Sequence, residues 1–278
     1  LINKIGKKLN KKISVGLRIN PNIDAKTHKK ISTGKSENKF GISIKSFAKL
    51  YKVRKNFTNL KIEAISVHIG SQILSDTPYK KTLDVLLNVI RKLNLKLKYV
   101  DLGGGFGITY TKKDKVINLN KYAKYVLDFK EKLKCEIIFE PGRAIVGNTG
   151  FLVSKIQYIK NGQNKNFIIL DAGMNDFMRP ALYDAKHEII PVIKVKRKSS
   201  IKIEFVGPIC ETTCKFNSYK NYQKIDENDL VVITNVGAYG SSLSSNYNTK
   251  PLIAEILVKK NKFRIIKKKQ DLFKLINS

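Results

Sequence analysis

Cysteine is scarce in this 278-residue chain: only Cys135, Cys210 and Cys214 occur, and no two of them form a CxxC pair. That scarcity argues against a disulfide scaffold and fits a reducing compartment, so a cytoplasmic location is expected. Long apolar runs are missing too, none approaching the ~18 residues that a membrane span needs. Arginine is in short supply. Seven of the 54 basic residues are arginine, which leaves 47 lysines spread along the whole chain. A net charge of +32 suggests a polyanion partner at first sight. The basic residues, however, are neither clustered nor arginine-rich, and no aromatic–basic motif accompanies them, so the footprint of a nucleic-acid binder is missing. Neither a nucleic-acid nor a membrane partner is expected. No signal peptide is visible, and the chain opens with Leu1 instead of Met, so an N-terminal part is expected to be absent.

What is present is a 42 % hydrophobic sequence, enough for one large core or two modest ones. Its first half alternates. Strands are predicted over 13–19, 62–68, 96–102 and 136–139, with helices over 44–55, 78–93 and 121–133. Such alternation implies βαβ units and a parallel sheet. Beyond Gly150 the runs FLVSKIQYI, FIIL, IKIEFV, DLVVITNV and LIAEILV read as strands joined by short polar turns, a mostly antiparallel β domain. The division is placed at 1–148 and 149–278. Each of the four predicted first-half strands ends in a polar or glycine cluster: RINP, HIGSQ, DLGGGFG and EPGR. Functional groups at the carboxyl ends of successive parallel strands are how (β/α) barrels build sites. Four strands cannot close a barrel, so the expected fold is α/β, the C-terminal half of a (β/α)8 barrel followed by the β domain. An isolated half-barrel with unpaired strand edges is expected to be poorly soluble.

Several of these clusters carry chemistry. Gly103, Gly104 and Gly105 follow a strand directly, where backbone N–H groups can approach a phosphate closely; a plain tight βα turn explains them equally well. In EPGR, Glu140 and Arg143 offer an acid and an anion binder, or merely a surface ion pair. Taken alone, His68 on its apolar strand is a satisfied core histidine, while Ser71 could give a hydroxyl to a phosphate. Pyridoxal phosphate needs a phosphate cradle, a group opposite its pyridine nitrogen and a ring-stacking partner, and these residues together offer all three.

The stretches LRINPNIDAKTH, KFGI, HIGSQI, DLGGGFGITY, EPGR, DAGMNDFMRPALYDAKH, GPICE and GAYGSSLSSNYN occur in that order. Together they resemble the diaminopimelate decarboxylase family, within the alanine-racemase-like fold type of pyridoxal-phosphate enzymes. The resemblance implies decarboxylation of meso-diaminopimelate to L-lysine, in a homodimer with shared active sites. It implies that Ser71 and Gly103–Gly105 bind phosphate, His68 stacks on the ring, and Glu140 of the Glu140-Pro141-Gly142-Arg143 motif faces the pyridine nitrogen. By the same resemblance Tyr239 touches cofactor and substrate, Arg143, Arg179, Tyr183 and Glu211 line the substrate pocket, and Cys210 donates a proton. In this family the Schiff-base lysine lies in a Tyr-x-x-Lys motif on an early barrel strand. No predicted strand here carries one, so this chain alone is not expected to be competent. Cys214 stands where the family has an acidic residue, and a loop of altered charge is expected there. The alternatives are a non-catalytic or truncated relative and a decarboxylase of ornithine or arginine. A metal clip at Cys210 and Cys214 is not expected, for want of further ligands at suitable spacing.

Overall fold

The computed structural model describes residues 1–25, 27–111, 114–194, 196 and 200–277; Lys26 of the LRINPNIDAKTH stretch and Arg197 lie outside them. The chain divides into two compact units, Leu1–Thr109 with Lys113–Ile145, and Tyr110–Lys112 with Val146–Ser278.

The first unit alternates helices and strands in the order α1 (Ile2–Lys8), β1 (Ile13–Asn20), β2 (Ile42–Ser43), α2 (Ile44–Lys52), β3 (Leu60–Ser66), α3 (Thr77–Lys92), β4 (Tyr99–Asp101), α4 (Leu119–Leu133) and β5 (Glu136–Ile138). All five strands are parallel, in the order β2-β1-β3-β4-β5. The sequence reading gave four. It missed β2 because two residues are too few to show any periodicity. The helices form where apolar residues recur at helical spacing. Tyr122, Val126 and Phe129 make the buried face of α4, whose Asn118 cap accepts from Lys121 N–H at 3.0 Å. In α3 the buried residues include Tyr79, Leu83, Leu86 and Ile90, and cutting fully buried Leu86 to alanine costs about 2–5 kcal/mol. Tyr79, Phe106 and Tyr122 pack with ring centroids 5.0 to 5.3 Å apart. The Tyr79 hydroxyl donates to the Gly104 carbonyl at 3.0 Å, so this aromatic cluster buttresses the glycine loop from below.

A short helix, α5 (Arg143–Val146), follows β5. The second unit then holds β6 (Leu152–Lys160), β7 (Lys165–Leu170), α6 (Arg179–Tyr183), β8 (Ile189–Pro191), β9 (Lys202–Val206), β10 (Lys215–Tyr219) and β11 (Leu230–Ile233). These strands form one six-stranded sheet, β10-β9-β7-β6-β11-β8. Its pairs are antiparallel except β7 with β9, which run parallel. A separate hairpin of β12 (Glu255–Lys259) and β13 (Lys262–Lys267) precedes the final helix α7 (Leu272–Ile276). The hairpin leaves Ile256, Val258, Phe263 and Ile265 exposed. Among the described residues no helix is long and apolar enough to cross a membrane.

Candidate active site

In the first unit the polar groups gather just beyond the carboxyl ends of β1, β3, β4 and β5. The glycine loop is fixed by main-chain proximity. A Cβ on Gly103 would stand 2.4 Å from the Val67 carbonyl oxygen, one on Gly104 2.0 Å from that of Glu140, and one on Gly105 2.2 Å from that of Gly70. Gly103 and Gly105 also hold φ of +66° and +93°, conformations that a side chain would strain. Gly103 N–H donates to the Asp101 carboxylate at 2.8 Å, and Glu140 N–H donates to the Gly103 carbonyl at 2.9 Å. Gly104 N–H donates to His68 Nδ1 at 3.2 Å. Because Nδ1 accepts there, His68 is a neutral imidazole with its proton on Nε2. Burial lowers its pKa, nearby Arg18 adds to that, and Asp101 opposes it.

Ser71 lies beside this loop, since Ile73 N–H bonds the Gly105 carbonyl at 2.9 Å. Its hydroxyl accepts from buried Arg143 at 3.0 Å. Gln72 closes the joint: its amide donates to the Ile108 carbonyl at 2.7 Å and accepts from Ile108 N–H at 3.1 Å. Arg18 donates to the His68 carbonyl at 3.2 Å. Burial lowers the Arg18 pKa, while Glu140 and Asp101 hold it up. Pro141 is half-buried, and Glu140 and Gly142 are exposed. The loop, Ser71 and Arg143 thus bring glycine backbone, a hydroxyl and a guanidinium together, a donor set suited to a phosphate. Pyridoxal phosphate fits these residues.

In the second unit Arg179 opens α6, 5 % exposed, with its guanidinium carbon 5.1 Å from the Tyr110 ring centre and 5.8 Å from that of Tyr183. Its Nε donates to His187 Nε2 at 3.4 Å. Cys210 and Glu211 are exposed on the loop between β9 and β10, which Gly207 N–H closes onto the Cys214 carbonyl at 2.9 Å. Glu211 accepts from the Tyr247 hydroxyl at 2.7 Å, and this bond is the first cause of a raised Tyr247 pKa. Tyr239, between Ala238 and Gly240, is exposed and holds φ of +65°, a strained position of the kind that clusters at functional sites.

Cys214 is buried, and its sulfur accepts from Met174 N–H at 3.3 Å. A weak acceptor therefore takes this N–H, at the position where the resemblance implies an acid. All three cysteines are free. Of the expected residues, the first unit brings together His68, Ser71, Gly103–Gly105, Glu140 and Arg143, and the second holds Arg179 with Tyr183, Cys210 beside Glu211, and Tyr239. Sequence reasoning missed Arg18, Gln72, Asp101, His187 and Tyr247, which act by holding other residues. Each lies inside a quoted stretch, and that was the available signal.

Residues 1–147 match the family described as pyridoxal-dependent decarboxylase, pyridoxal binding domain. The chain is 39 % identical to a diaminopimelate decarboxylase of Aquifex aeolicus over 274 residues, which is 98 % of this chain and 65 % of that protein. To the diaminopimelate decarboxylase of Vibrio cholerae it is 40 % identical over 278 residues, 99 % of this chain and 66 % of that one. It therefore spans slightly less than two thirds of the length of these relatives. The solved structure of diaminopimelate decarboxylase from Helicobacter pylori complexed with L-lysine superposes with a TM-score of 0.92 at 38 % identity, covering 99 % of this chain and 69 % of that chain.

Proposed function

The chain belongs to the diaminopimelate decarboxylase family of pyridoxal-dependent decarboxylases, and from that premise we propose that it serves the decarboxylation of meso-diaminopimelate to L-lysine and carbon dioxide. The observation that carries this reading is a pair of opposite charges in the second unit. Arg179 is held among aromatic rings and Glu211 is held by Tyr247. The distal end of diaminopimelate bears both a carboxylate and an ammonium, so it matches a guanidinium fork and a carboxylate together. Ornithine has no distal carboxylate to meet that fork, so it should be the poorer substrate.

Bound pyridoxal phosphate supplies a ring that accepts the electron pair left when carbon dioxide departs. Ser71, the glycine loop and Arg143 would hold its phosphate. Glu140 would keep its pyridine nitrogen protonated, and neutral His68 would serve as the stacking partner of its ring. Arg143, Arg179, Tyr183, Glu211 and Tyr239 bind and orient the substrate, and the Cys210 thiol returns a proton to the carbon that lost its carboxylate. In a homodimer Cys210 and Glu211 of one subunit serve the site of its partner, so each site meets Arg179 of one second unit and Glu211 of the other; the apolar residues exposed on the β12–β13 hairpin are the kind of surface that association covers. Residues 1–148 form the C-terminal half of a (β/α)8 barrel that binds the cofactor, residues 149–278 a mostly antiparallel domain for substrate and interface, and the protein is cytoplasmic.

The test is carbon dioxide release by the full-length protein bearing this sequence, loaded with pyridoxal phosphate. Release from meso-diaminopimelate well above that from ornithine, arginine or lysine is expected. Release from ornithine or arginine alone overturns the substrate assignment.

A further inference from the structure

His187 is 1 % exposed, and beyond its bond to Arg179 nothing described so far says what it contributes to the site. Its Nδ1 lies 2.9 Å from the Thr234 carbonyl oxygen and its Nε2 3.4 Å from Arg179 Nε. A carbonyl oxygen only accepts, so the proton sits on Nδ1. A guanidinium N–H only donates, so Nε2 is bare. Both bonds together therefore fix a single neutral tautomer. An imidazolium would turn a second N–H toward a buried cation. The ring cannot swing away: Tyr110 and Phe177 wedge it, with centroids 4.7 and 4.6 Å distant at 64° and 87°. Its own backbone is pinned by Asn217, which donates to the His187 carbonyl at 2.7 Å.

From this arrangement we infer that His187 is the positioning residue for substrate recognition, a neutral acceptor that sets the plane of the Arg179 fork. A two-pronged grip on a carboxylate depends on that plane, since guanidinium donors lie in a rigid fork. The inference rests on the reading of Arg179 as the binder of the distal carboxylate.

Asparagine and glutamine separate the two ring nitrogens. His187→Asn keeps a donor near the Nδ1 position and loses the acceptor, whereas His187→Gln places an amide oxygen near the Nε2 position. In the full-length protein loaded with pyridoxal phosphate, His187→Asn is expected to raise KM for meso-diaminopimelate and Kd for L-lysine by on the order of tenfold, the effect of one charge-assisted bond. The same variant keeps kcat, and its affinity for 1,5-diaminopentane, which lacks the carboxylate, stays unchanged. His187→Gln is expected to restore most of the lysine affinity although both variants melt lower. Equal losses in the two variants, or losses that follow the melting temperature, overturn the inference. So does nitrogen NMR of the unsubstituted protein showing His187 protonated on Nε2, a measurement that needs no variant to fold. Arg179→Gln is the control: if it leaves KM and lysine affinity unchanged, the reading of Arg179 itself has failed, which is a different outcome.

Discussion

The residues proposed to hold the cofactor in the first unit and those proposed to hold the substrate in the second are positioned by opposite means. Around the glycine loop the fit is main chain against main chain, with carbonyl oxygens of Val67, Gly70 and Glu140 where a side chain would begin. Around Arg179 and Glu211 the fit is side chain against side chain, through His187, Tyr110, Tyr183 and Tyr247. A main-chain cradle suits a group that must be held the same way in every turnover, and almost no substitution survives there. A side-chain pocket can be retuned one residue at a time, which suits discrimination among substrates.

The largest effect should therefore come from a single methyl group in the cradle. Gly104→Ala drives a Cβ to within 2.0 Å of the Glu140 carbonyl oxygen. We expect loss of retained cofactor, seen as loss of its visible absorbance, and a stability loss near the top of the range for single changes, about 4 kcal/mol. Gly142→Ala is the matched control, because an added Cβ there meets nothing within 4 Å and stability should stay within about 0.5 kcal/mol. If both variants keep cofactor equally well, the main-chain account of the cradle is wrong.

On the side-chain half, rate and binding should come apart. Cys210→Ala removes an exposed thiol that packs into no core. It is expected to cut kcat by about 10²–10⁴-fold, the usual contribution of general acid catalysis. Melting temperature and cofactor absorbance should not change. A Cys210→Ala enzyme with full turnover and unchanged product would remove Cys210 from the proton-donor role.

This division also explains what could be read from the sequence. Helices α2 to α4 and strands β1, β3 and β5 announce themselves through apolar spacing over several residues. The reading of a strand over 96–102 was too long, because only Tyr99–Asp101 pair with neighbours. Strand β13 was missed because its partner is reached through Lys260 and Asn261, a two-residue turn with Lys260 at φ +54° and no glycine to mark it. The glycine loop was legible because main-chain crowding leaves a visible trace, glycine itself. Gln72 and His187 were not: their partners Ile108 and Thr234 lie 36 and 47 residues away. Only the fold brings them together.

His68 is the exception that sharpens the comparison, a side chain inside the main-chain cradle. Its Nδ1 accepts the Gly104 N–H, so protonating that nitrogen would set two donors against each other. Burial first, then Arg18, lowers the folded-state pKa against the weaker pull of Asp101. The sign follows from linkage. A histidine harder to protonate when folded contributes stability that is fully present above its unfolded pKa, about 6.5, and that is lost as the pH falls below it toward the depressed folded value. The cofactor-free protein should therefore melt progressively lower as pH drops from 7 to 5. His68→Asn keeps an acceptor near the Nδ1 position but cannot titrate, so its melting curve should fall less steeply over that range. Subtracting the two profiles removes the contribution of every other group. Of the three effects this should be the smallest. Superimposable slopes would mean that the loop does not depend on a neutral imidazole, and that the cradle is held by main chain alone.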